Sequence, residues 1–97
     1  MKIVRHGTWL YDNAVSLPVD IVSLNYDFWY ELGKADDQLE PGEAPQPMNE
    51  LGVLYYYRFR HAGEMTTPTW ADSAGFPEIE QAMLAAQERS PSEITWS

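Results

Sequence analysis

The chain contains no cysteine. It can therefore build neither a disulfide framework nor a thiolate metal site, and a cytoplasmic location is the expectation. Basic residues are scarce as well: six Lys and Arg stand against fifteen Asp and Glu, for a net charge of −9. A surface of that sign repels nucleic acid and anionic membrane at long range and attracts a basic partner. Long apolar runs are missing. The opening residues MKIVRHGTW do not read as a signal peptide, and nothing later approaches the roughly 20 apolar residues of a membrane span. The chain is expected to bind neither nucleic acid nor membrane.

Catalytic and cofactor motifs are absent too. There is no Gly-x-Ser-x-Gly turn, no Walker-type phosphate loop and no Gly-x-Gly-x-x-Gly. The only histidines are His6 and His61, fewer than the three protein ligands that zinc usually takes. Asp36, Asp37 and Glu40 form the nearest approach to an oxygen cluster, but their spacing departs from that of a calcium loop. The sequence thus predicts no catalytic residues, no cofactor and no metal.

What is present is aromatic. Four Trp, six Tyr and three Phe in 97 residues argue for a packed domain over disorder, and the length suits one domain spanning 1–97. The organising stretch is Val19–Leu32, VDIVSLNYDFWYEL. Every second residue from Val22 to Leu32 is apolar or aromatic, and Val19, Ile21, Ser23, Asn25, Asp27, Trp29 and Glu31 alternate with them. A period of two predicts a long half-buried strand.

The rest of the chain is read around it. Lys2–Tyr11 is a predicted strand in which Gly7 marks a bulge or a close backbone approach. Asp12-Asn13 predicts a tight turn into a second strand running from Val15 to Leu32. The range 33–50 carries Pro41, Pro45 and Pro47, two glycines and five carboxylates, and predicts a long, exposed acidic loop. A third strand follows over 51–62, with Leu51, Val53, Tyr55, Tyr57 and Phe59 on the face expected to match the apolar face of the second. A short fourth strand is placed at 67–71. A loop at Asp72, Ser73 and Gly75 then leads to a helix over Pro77–Arg89, whose Ile79, Ala82, Met83 and Ala86 form an apolar stripe. Glu93–Trp96 predicts a short strand returning to the sheet. The fold class is α+β: an antiparallel sheet of three to five strands with one C-terminal helix packed on one face.

Function is read from the surface. Trp29 falls among charges on the more polar face of the long strand, and Tyr56, Arg58 and Arg60 are placed on the same side. Asp36, Asp37, Glu40 and Glu43 hang from its end. An aromatic ringed by charge is the anatomy of a protein contact. These eight residues are the expected partner-binding set of a non-enzymatic interaction module, in its sharper form an inhibitor or immunity-type protein for a basic partner. Three competing readings are ordinary structural ones. Trp29 is covered by the helix or the C-terminal residues, the loop is a solubilising linker, and the arginines pair with Asp20, Asp27 or Glu31 across the sheet. From another class comes a small-molecule or enzymatic module, with an aromatic pocket in which Arg58 or Arg60 holds an anion. A homodimer is compatible with either function.

Overall fold

Two antiparallel strands, β1 (Lys2–Tyr11) and β2 (Val15–Leu24), open the structure. The computed structural model describes residues 2–60 and 70–97. The hairpin turn is made as expected: Asp12 and Asn13 both adopt positive φ, 52° and 53°, and Ala14 N–H donates to the Tyr11 carbonyl at 3.0 Å. Two consecutive left-handed residues match the twist of the strands they join. Helix α1 (Phe28–Ala35) follows, then β3 (Leu54–Phe59), α2 (Ile79–Arg89) and β4 (Thr95–Trp96). The sheet order is β3-β2-β1-β4, antiparallel throughout. The fold is α+β, with α2 packed on one sheet face.

The long strand predicted over Val19–Leu32 is corrected. Strand geometry stops at Leu24, and Phe28–Ala35 is helical. The cause is Asp27. Its carboxylate accepts the Trp29 and Tyr30 N–H groups at 3.1 and 3.2 Å, satisfying donors that a helix start otherwise leaves open. Glu31 in the first turn and Lys34 in the last complement the helix dipole. The third strand is also shorter than 51–62. Asn49 Oδ1 accepts from Leu51 N–H and Val53 N–H, and Gly52 sits at φ +76°, so a turn occupies the first three residues. The predicted strand at 67–71 falls mainly on residues outside those described; Trp70 and Ala71 are not in a strand.

Both faces of the sheet are buried at β2 and β3, and the pairing of faces differs from expectation. Val22 and Leu24 lie opposite Tyr56 and Leu54, whereas Tyr57 and Phe59 lie opposite Ile21 and Val19. On one side Val19, Ile21, Tyr55 and Tyr57 pack against Ala82 and Ala86 of α2 and against Ile94, which bears out the predicted stripe. On the other, Val22, Leu24, Leu54 and Tyr56 pack with Ala71 and are flanked by Phe28 and Met48. Helix α2 starts two residues after Pro77 and is capped by Glu78, whose N–H donates to the Gln81 side chain at 3.2 Å in a capping box. The return to the sheet is found: β4 pairs with β1 at Gly7 and Thr8. Gly7 is there for close approach, since a Cβ would lie 2.8 Å from the Trp96 ring and 3.0 Å from the Thr95 carbonyl oxygen. The register shift in β1 lies elsewhere, between Ile3 and Arg5.

Candidate functional site

The eight predicted partner residues divide into two groups. Tyr56 and Arg58 are fully buried, and Arg60 is 7% exposed. They form part of the interior. Trp29, Asp36, Asp37, Glu40 and Glu43 are all exposed, on α1 and the segment that follows it.

The buried group is built around Asp20, itself fully buried. Register puts Asp20 directly between His6 of β1 and Arg58 of β3. Its Oδ2 accepts from Arg58 Nε at 3.1 Å and from Arg58 Nη2, and lies 2.9 Å from Arg60 Nε. Its Oδ1 accepts from Arg60 Nη2 at 3.4 Å and lies 2.9 Å from Nδ1 of the half-exposed His6. Of the three carboxylates offered by the sequence, Asp20 is therefore the one the arginines share. The Arg58 guanidinium also lies 4.8 Å from the Trp70 ring centroid. Buried in this way, Tyr56 and Arg58 present no surface to a partner. His61 lies outside the described residues. Among the described residues, no three His, Asp or Glu side chains gather as a metal site would require.

Tyr56 braces the junction between β2 and α1. Its hydroxyl accepts from Phe28 N–H at 2.9 Å and donates to the Tyr26 carbonyl at 3.2 Å. Burial pushes the phenol above its ordinary value; the Phe28 N–H works the other way, and Asp27 and Tyr26 add to the rise. The unfolded phenol ionises near pH 10. Stability is therefore whole below that pH and is lost as pH climbs toward and through the folded value, because the unfolded chain gives up its proton first. Tyr56→Phe is expected to abolish this alkaline component. It also strands the Phe28 N–H, at about 1–3 kcal/mol near neutrality. Urea unfolding of both proteins across neutral and alkaline pH checks the two effects together.

The exposed group has its own architecture. Helix α1 buries none of its residues. Tyr26, Trp29 and Leu32 are 42, 46 and 42% exposed, and a spacing of three places them along one side of the helix and its entry. Trp29 is not covered by α2 or the C-terminal residues. Its Nε1–H donates to the Ser73 carbonyl at 2.7 Å, which holds the indole while leaving nearly half of it in solvent. Past the helix the backbone turns tightly. Asp36 and Gln38 N–H groups donate to the Leu32 and Gly33 carbonyls, and Asp37 adopts φ 55°. Glu40 N–H donates to the Glu43 carboxylate at 3.0 Å. The segment is fastened to the body where Gln46 N–H meets Asp27 Oδ2 and Gln46 Nε2 meets the Gly75 carbonyl, both at 2.9 Å. It is thus no free linker at its return end. Tyr26 and Leu32 escaped the sequence reading; the signal was Asp27 as a helix cap, which turns a period of two into a period near three and a half.

A concave feature lies on the α2 side. A cleft of about 420 Å³ is lined by Trp9, Tyr57, Phe59, Trp70, Asp72, Arg89 and Pro91. The arginine in it is Arg89, and neither Arg58 nor Arg60 lines it. Among the described residues no helix is long and apolar enough to cross a membrane. No protein-family model, no curated protein and no solved structure matches the chain.

Proposed function

We propose that the protein is a non-enzymatic, cytoplasmic interaction module that binds a basic protein partner through α1 and the acidic segment after it, in the manner of an inhibitor or immunity-type protein. The observation that carries this is the half-exposed set Tyr26, Trp29 and Leu32, at the entry of α1 and on a helix with no fully buried residue, continued by exposed Asp36, Asp37, Glu40 and Glu43. An aromatic anchor with a charged rim supplies contact energy at the centre and steering at the edge. The interior strengthens the steering. The Asp20 cluster removes two of the six basic side chains and one of the fifteen acidic ones from the surface, so the exterior is more negative than the net charge states. Lys34 is the basic residue of α1.

The test is parallel capture from a lysate at low salt with three baits: the wild type, Trp29→Ala, and D36N/D37N/E40Q/E43Q. A basic protein held by the wild type and released by salt is expected. Trp29→Ala should weaken it by roughly thirtyfold, the size of a hot-spot truncation of about 2 kcal/mol. The quadruple variant should bind weakly at low salt and approach the wild type as salt screens the charges. Equal retention by all three baits would defeat the proposal, as would a wild type that elutes as a dimer with this face buried in a second copy.

A further inference from the structure

We infer that the cleft between β3 and the end of α2 is a binding site for a small, singly charged aromatic carboxylate. It lies on the α2 face of the sheet, away from α1, and the inference is independent of the partner surface.

The walls come from the sheet. Trp9 and Phe59 meet edge to face at 5.8 Å, and Tyr57 and Phe59 at 5.4 Å. Trp70 adds a fourth ring, and Pro91 a further apolar surface. Rings held in edge-to-face contact leave a planar ligand the same offset and edge-on geometries that aromatic pairs prefer. The volume of about 420 Å³ falls in the range of small-molecule sites and suits one or two fused rings.

The polar groups set the charge of the ligand. Arg89 stands in the last turn of α2 with no anionic partner among the described residues. A guanidinium is a planar fork matched to a carboxylate. Asp72 lines the same cleft but is engaged, its Oδ2 accepting from Phe59 N–H at 2.7 Å. Glu88 lines the adjoining hollow, which shares Tyr57, Asp72 and Arg89 with this one. The carboxylates of Asp72 and Glu88 repel further negative charge near Arg89, so among anions the cleft favours a single carboxylate over the two charges of a phosphate. The Trp9 Nε1–H, withdrawn from solvent, has no acceptor among the described residues.

The experiment uses indole-3-acetate and its neutral analogue indole-3-ethanol, titrated into the ¹⁵N-labelled full chain and into its Arg89→Gln variant. Arg89 is exposed at a helix end, so the variant is expected to keep the fold, with unchanged amide shifts elsewhere as the check. The wild type is expected to bind the acid at least about tenfold more tightly than the alcohol, the value of one charge-assisted contact. The Trp9 indole N–H resonance should move in both titrations. Arg89→Gln should erase the preference and leave the affinity for the alcohol alone. Equal affinity of the wild type for acid and alcohol would overturn the assignment. So would shifts confined to Trp29 or Trp96, or the absence of saturation at millimolar ligand.

Discussion

Asp20→Ala is expected to destabilise the protein by about 3–5 kcal/mol, read as a fall in the urea midpoint at unchanged slope. The carboxylate lies at 0% exposure and is shared by two guanidiniums that are themselves 0 and 7% exposed. Removing it leaves the positive charge of Arg58 and Arg60 in the interior without the anion placed between them. Domains of this size are stable by about 5–15 kcal/mol in total, so the loss consumes a large fraction of the reserve. A second variant separates charge from packing. D20L/R58M/R60L replaces all three ionic groups with apolar ones and is expected to recover most of the stability, because a desolvated ion cluster gains little over well-packed hydrophobes. Failure of the triple variant to recover would mean that the cluster specifies the fold beyond balancing its own charge.

Ile21→Ala and Leu54→Ala are each expected to cost about 2–5 kcal/mol. Both residues are fully buried, but they lie in different cores. Ile21 packs with Ala82 and Ala86 of α2, and Leu54 packs with Val22, Leu24 and Tyr56 on the far side. A sheet with one solvated face would register only one of these losses. The two cores are separated by the sheet, so the double variant should lose close to the sum of the singles. A Leu54→Ala cost under about 0.5 kcal/mol, the size of an ordinary surface change, would show that the α1 side contributes little to the fold.

That second core marks where sequence reading stopped. The hairpin turn, the α2 stripe and the returning strand at Thr95–Trp96 were legible because each rests on local chemistry: turn-prone Asp12-Asn13, apolar residues at helical spacing, a β-branched and aromatic pair. The segment after Leu24 was not. Tyr26, Phe28 and Tyr30 alternate as a strand would, yet one capping carboxylate outweighs that alternation, since a helix start needs acceptors and Asp27 supplies one. Counting Asn25 and Asp27 as strand residues made that side look polar and the sheet one-sided. The same error placed Tyr56, Arg58 and Arg60 on a solvated surface. The pairing of arginine with Asp20 was foreseen as one of three options, but only register could select it. The acidic part of the partner surface was legible from composition. Its apolar part, Tyr26 and Leu32, became visible only once α1 was a helix.

The placement of β4 bears on how the protein acquires its shape in time. The β1–β2 hairpin joins neighbours in sequence across the three-residue turn of Asp12, Asn13 and Ala14, and such a unit zips within microseconds. Thr95 and Trp96, in contrast, dock beside Thr8 and Gly7, across nearly the entire length of the chain. That union must meet the entropy of closing a very large loop, and contacts of such range slow folding. Until it forms, the Gly7 backbone lacks the Trp96 ring that presses on it. The Gly7–Thr8 stretch of the β1 edge stands open over that interval to strands of other molecules. A chain whose hairpin forms before its tail docks offers that edge for self-association, so refolding yield is expected to fall with concentration more steeply than native solubility does.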